Sequence, residues 1–301
     1  MTFHYYALAF ISSFTISHCS VSTLRIEKPC GKVPQGMKCV PGGYFTMGSN
    51  RQLRDQSPAH VVFVDTYFMD ETEVTVEKYE KCVADGKCDK QRTSYPGFSN
   101  PQQPKVGVGW TSADKYCRVM GKRLPTEAEW ELAARGYDGD QFPWGTALVD
   151  CDKAVIEIKK GKGCGIDGVV KNKGVTQNVK SRPAGRFGLY DIIGNADEYV
   201  NDWYTPYKKC GSYCTGIDPK GPCNGDFKCR GHKEKVVRGG SWFWGPEHNY
   251  GSYRRAHFTT NKKVYHHFGF RCAMDSNTEN DKYYMLFNFI YNLIARTTLM
   301  N

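Results

Sequence analysis

No run of about 18 apolar residues occurs in this 301-residue chain, so nothing in it reads as a bilayer-crossing helix. Its 31 glycines and 14 prolines keep no fixed period, which excludes a collagen-like rod, and no internal repeat is visible. Charge of a single sign is lacking too. Against 31 Asp and Glu stand 41 Lys and Arg, net +10, with only loose basic clusters at 153–173 and 228–238. A solvated basic surface accounts for that balance, and no nucleic-acid partner is expected. What remains, 40% hydrophobic and 24% charged, is the composition of a globular chain with a buried core. Aromatics at 14%, together with many Gly and Pro, point to short strands, turns and packed loops rather than a helical bundle.

Cysteine is the abundant exception. Thirteen are present, and setting Cys19 aside leaves an even number. Cys19 closes an apolar stretch, Tyr5 to Ile16, of signal-peptide length, followed by small polar residues at 17–20, although no Lys or Arg precedes it. Residues 1–20 therefore read as a signal peptide and the chain as secreted or periplasmic, where twelve cysteines would form bridges. Cys210, Cys214, Cys223 and Cys229 admit a zinc alternative, but their spacings are looser than a paired C-x2-C site.

Residues 21–39 form a Cys-bearing lead-in. Then Pro41–Ser49 reads as turn, strand, turn, and His60–Asp65 as a β-branched strand. Thr75 caps a helix reaching about Asp85, with Cys82 and Cys88 flanking its end and placed to bridge locally. A second helix starts at Thr111 or Ser112 and stops at Gly121. A third carries the Thr126-x-x-Glu129 capping box and ends before Gly136. Long loops follow at 137–185 and 205–235, then a strand at Lys235–Arg238. The tail, 276–301, holds about a dozen apolar residues from Tyr283 to Ile294, too few to span a bilayer. It reads as a segment docked on the domain, or as a membrane-surface or partner contact.

The ordered set Pro41–Gly48, Glu71–Thr75, Gly121–Glu131, Phe142–Gly145, Gly188–Asn195, Arg238–Trp242 and Gly269–Cys272 resembles the formylglycine-generating enzyme, or sulfatase-modifying factor, family. The resemblance covers residues 40–275. It implies a single α+β domain of C-type-lectin-like architecture, low in regular secondary structure and here rich in disulfides. It also implies a bridge between Cys117 and Cys272; Cys30 with Cys39 and Cys151 with Cys164 are the further pairings, and the order among 210, 214, 223 and 229 stays open. A second family bridge is absent, since Ala134 and Arg254 occupy its two positions.

That family oxidises a sulfatase cysteine to formylglycine with dioxygen and copper(I), held by two thiolates just after its Gly-Gly-Ser motif. Soft sulfur is what copper(I) needs. Ser241 is retained here, but the two thiolate positions carry Trp244 and Asn249, so copper is not expected and neither is formylglycine formation. The resemblance implies a structural calcium in the loop of Asp191, Gly194, Ala196 and Glu198, two side-chain and two carbonyl oxygens of the hard kind calcium takes. A second family calcium site is not carried, because an insertion at 159–174 breaks its register.

Trp244, His248, Tyr250, Tyr253, Arg254 and Arg255 pair aromatics with arginines where the family binds its peptide substrate, which suits recognition of a peptide or protein ligand. Trp242 and Phe243 read as core. The rival reading is an oxidoreductase built from His248, His257, His266 and His267 with Glu247 as a non-haem iron site, and lectin-like sugar binding is a third, resting on fold analogy.

Overall fold

A computed structural model describes residues 30–51, 54–91, 96–159, 162–164, 174–259 and 265–276. The signal-peptide and tail readings lie outside them. Among the described residues are twelve short strands: β1 (Met37–Val40), β2 (Gly43–Met47), β3 (His60–Val64), β4 (Tyr67–Asp70), β5 (Glu157–Lys159), β6 (Lys162–Gly163), β7 (Asp197–Trp203), β8 (Gly216–Ile217), β9 (Glu234–Arg238), β10 (Arg254–Phe258), β11 (Phe268–Gly269) and β12 (Ala273–Asp275). The α-helices are α1 (Val76–Ala84), α2 (Trp110–Val119), α3 (Glu127–Arg135) and the single turn α4 (Tyr207–Cys210). This is the α+β, loop-rich architecture expected.

The sheets are small. The largest has the order β10-β9-β7-β11; three-stranded sheets run β1-β4-β12 and β2-β3-β8, and β5 pairs with β6. Because β1 pairs with β4 from Met37↔Asp70 to Val40↔Tyr67, residues 37–39 of the lead-in join a sheet, and the boundary drawn at residue 40 falls inside a strand. Ser276, the first residue of the expected tail, is tied to the domain, its hydroxyl donating to the Thr66 carbonyl.

The helix signals act as expected. The Thr75 hydroxyl accepts from the Lys78 N–H. At α3 both halves of the capping box form, Glu129 N–H to the Thr126 hydroxyl at 3.1 Å and Thr126 N–H to the Glu129 carboxylate at 2.7 Å. α2 begins at Trp110, just before the expected start, and its indole N–H donates to the Val200 carbonyl on β7.

Every residue of α3 is buried, so its charged side chains must find partners inside. Glu127 meets Arg238 and Arg254; Glu131 meets Arg238 and Arg135. Around this ionic centre one apolar cluster gathers Val40, Phe45, Trp130, Leu132, Ile192 and Val236. A second gathers Tyr79, Trp110, Tyr116 and Phe270 about the Cys117–Cys272 bridge. Burial of each such large side chain contributes about 1.5–3 kcal/mol.

The remaining bridges are Cys30–Cys39, Cys82–Cys88, Cys151–Cys164, Cys210–Cys214 and Cys223–Cys229. The open question among the last four is thereby answered, and their zinc alternative is excluded because bridged sulfur has no thiolate to give. No described helix is long and apolar enough to cross a membrane.

Candidate functional site

Arg238 at the end of β9 leads into Gly239 and Gly240, both at positive φ (94° and 70°). A side chain at Gly240 would sit 2.4 Å from the Asn249 Oδ1 and 2.6 Å from the His248 carbonyl, so only glycine lets the chain pass beneath 246–249. Ser241 and Trp242 then dive into the core, at 0% and 1% exposure.

The two positions where copper thiolates would stand have taken structural work. Asn249 is fully buried, and its amide donates to the carbonyls of Trp244 (2.7 Å) and Gly245 (2.8 Å), stapling the loop shut. Trp244 is half-buried; its indole N–H donates to Asp197 at 3.2 Å, and its ring lies 4.5 Å from the Arg255 guanidinium. All twelve cysteines among the described residues are bridged. These residues do not fit copper(I).

The recognition surface is smaller than expected. Arg254 is 2% exposed and grips Glu127 with two hydrogen bonds, 2.8 and 2.7 Å, while donating to the carbonyls of Asp55 and Thr205. Alternation along β10 sends it inward to the α3 carboxylates, so it reads no ligand. Tyr250 and Tyr253 are likewise buried, packed on each other, with the Tyr250 hydroxyl accepting from Gln56. Trp244, His248 and Arg255 remain half-exposed. With Trp242, Phe243, Glu157 and Glu247, Trp244 and His248 line a cavity of about 250 Å³.

Sequence reasoning passed over Asp197 as a functional residue. It sits beneath Trp244, 3.8 Å from Arg255, and burial raises its carboxyl to about 6. Glu157 was missed as well; its N–H donates to the Trp244 carbonyl. Neither carries a motif, because both reach the site from strands distant in sequence, Asp197 from β7 and Glu157 from β5.

The iron reading is not assembled. Among the described residues no group of three or more His, Cys, Asp or Glu side chains is placed to hold a metal. His257 instead hydrogen-bonds the Tyr199 hydroxyl, and His266 packs against Trp242 and Phe98.

In the calcium loop, Asp191 and Asn195 adopt positive φ (54° and 57°), and the Lys180 N–H donates to Asp191 at 2.7 Å. Glu198 is engaged by Arg271 through both oxygens (2.7–2.8 Å) and by the Trp130 indole at 2.8 Å. Buried Glu73 joins the cluster; burial, then Asp191, pushes its carboxyl well above the usual range. The carboxyls of Glu73, Asp191 and Glu198 thus lie near Arg271, with Arg182 also acting on Asp191; oxygen of this hard kind is what calcium takes, but among the described residues no three such side chains converge on one metal position. The calcium expectation names Asp191, Glu198 and the carbonyls of Gly194 and Ala196, and of these Glu198 already has both oxygens engaged by Arg271.

The fold and this Gly-Gly-Ser loop define a sulfatase-modifying-factor-type domain. Residues 25–276 match the model of the sulfatase-modifying factor enzyme 1-like domain, and the chain belongs to that family. It is similar to the formylglycine-generating enzyme of Bos taurus, 31% identical over 296 residues, covering 80% of this chain and 75% of that one. It is also similar to the inactive C-alpha-formylglycine-generating enzyme 2 of Mus musculus, 31% identical over 177 residues, 56% of this chain and 48% of that one. Among solved structures, PvdO from Pseudomonas aeruginosa shares the fold with a TM-score of 0.65 at 24% identity, covering 82% of this chain and 99% of the other.

Proposed function

We propose that this protein is a family member without copper-dependent cysteine oxidase activity, acting as a peptide- or protein-binding accessory protein in an oxidising compartment outside the cytoplasm. The observation that carries the reading is the occupancy of the two thiolate positions by Trp244 and Asn249, with every described cysteine already bridged. Copper(I) has no soft sulfur to bind there. The similarity to a mouse relative named as inactive agrees with it, and six disulfides suit a secreted or periplasmic chain.

The test is incubation of purified protein with copper, dioxygen and a Cys-x-Pro-x-Arg peptide. No aldehyde above the copper-only control is expected. Stoichiometric formylglycine at repeated turnover sinks the reading.

Calcium belongs to the same proposal, as a structural ion at Asp191, Gly194, Ala196 and Glu198. Its role would be to pin a loop, so calcium should raise the melting temperature by several degrees over EGTA-treated protein. An unchanged melting temperature, with no calcium retained after dialysis, removes the ion from the account.

A further inference from the structure

We infer that the cavity beside the Gly-Gly-Ser loop is a cage for an organic cation, an ammonium or guanidinium group. This rests on, and deepens, the peptide-binding reading. The cavity is about 250 Å³ and its walls are Trp242, Phe243, Trp244 and His248, with the carboxylates of Glu157 and Glu247 in the lining.

The rings form corners rather than a stack. Trp242 and Phe243 are 85° apart in plane with centroids at 5.5 Å, Phe243 and Trp244 are 87° apart at 5.0 Å, and His248 tilts 49° to Trp244 at 5.1 Å. Rings set at steep angles let more than one negative π-face turn toward a single guest, the arrangement that favours a cation over a neutral group of equal size.

Two further observations agree on the sign of the guest. Among the described residues the lining carries two acidic side chains and neither Lys nor Arg, the Glu247 carboxylate lying 3.0 Å from the His248 ring nitrogen. The Trp244 ring already accepts a cation, the Arg255 guanidinium at 4.5 Å, although Arg255 lies outside the cavity wall. Asp197 holds that wall in place through the Trp244 indole N–H. The position that in the family would be a metal-binding thiolate therefore serves here as a wall of the recess.

Two sources could supply such a group: a free small cation or the side chain of a peptide. The probes are choline and its uncharged isostere 3,3-dimethylbutan-1-ol, then two acetylated alanine-rich peptides with a central lysine or norleucine. Binding to the full chain is followed by calorimetry and tryptophan fluorescence. Choline should bind saturably and the isostere about tenfold more weakly, with the lysine peptide preferred over norleucine by a similar factor.

Trp244→Ala should abolish choline binding and Trp244→Phe should retain most of it. Because Trp244 also packs the loop, Glu247→Gln is the control at an exposed side chain: it should weaken choline severalfold while leaving the melting temperature unchanged. Equal binding of choline and its isostere, or none of either, overturns the cage. If the norleucine peptide binds as well as the lysine one, peptide binding stands and the cage falls. If choline binds selectively and neither peptide does, the cage stands for a free cation and the peptide reading falls.

Discussion

Arg254 and Arg255 are chemically identical neighbours on β10, and the strand turns them to opposite faces. Arg254 is buried against the Glu127 carboxylate, over the Tyr207 ring at 4.0 Å, with two backbone carbonyls as further acceptors. Arg255 is half-buried, 3.8 Å from its nearest carboxylate, and rests on Trp244 at the edge of the cavity. The inward side of this sheet is a closed ionic network in which each charge is committed. The outward side is a half-exposed recess, where Trp244 donates to Asp197 and the His248 ring meets Glu247. The two family thiolate positions, Trp244 and Asn249, take no part in the inward network.

The comparison breaks most sharply at Arg254. Replacing it by Leu leaves Glu127 buried with Arg238 as its remaining guanidinium partner, and removing one member of a buried pair costs about 3–5 kcal/mol. The melting temperature should fall by roughly 10 °C for a chain of this size. A loss within about 1 kcal/mol in chemical denaturation would mean the network is not the keystone the geometry makes it.

A second buried pair sharpens the contrast through pH. Burial, then Glu127, raises Asp202 to about 7, and burial brings Lys235 down to about 7 between the rings of Trp110 and Trp203. Unfolded Asp202 would lose its proton near its ordinary value of about 4, whereas the folded protein holds it to about 7. The native state therefore binds more protons in that window, and Asp202 makes stability fall as pH rises from about 4 to 7, by up to about 1.4 kcal/mol per pH unit. Lys235 acts with the opposite sign above 7: its folded form has already released a proton that the unfolded chain keeps to about 10, so stability climbs again. Denaturation at a series of pH values should show Asp202→Asn flattening the lower limb and Lys235→Met the upper one. Asp218, also raised to about 6 by burial, adds to the lower limb in both proteins and cancels in the difference.

What was legible in the sequence follows the same division between local and distant causes. The three main helices could be placed because their signals are local: Thr75, the Thr126–Glu129 box, and the glycines at 121 and 136. β7 was not visible, although it is central, because Asp197, Glu198 and Asp202 break any apolar alternation. Their burial is made possible by Trp244, Arg271 and the Glu127 N–H from elsewhere in the chain. The missing thiolates could be read position by position. The inward turn of Arg254 could not, since it depends on the pairing Arg254↔Arg238 that sets which face of β10 meets α3. Glu157 and Asp197 reach the cavity only through tertiary contacts that no spacing encodes.

The smallest effect is expected at Arg255, and it is the one that isolates the outward face. Its guanidinium is partly solvated and its ion pair with Asp197 is long, so Arg255→Ala should change stability by less than about 1 kcal/mol. Its charge nevertheless holds the Asp197 carboxyl down against burial, so the substitution should move that carboxyl above about 6, visible in a carboxyl titration followed by NMR. Stability unchanged with the titration shifted places Arg255 as a surface cation acting on the cavity wall through Asp197. A loss of stability approaching that of Arg254→Leu would show that both faces of β10 serve the same buried network, and the division drawn between them would not hold.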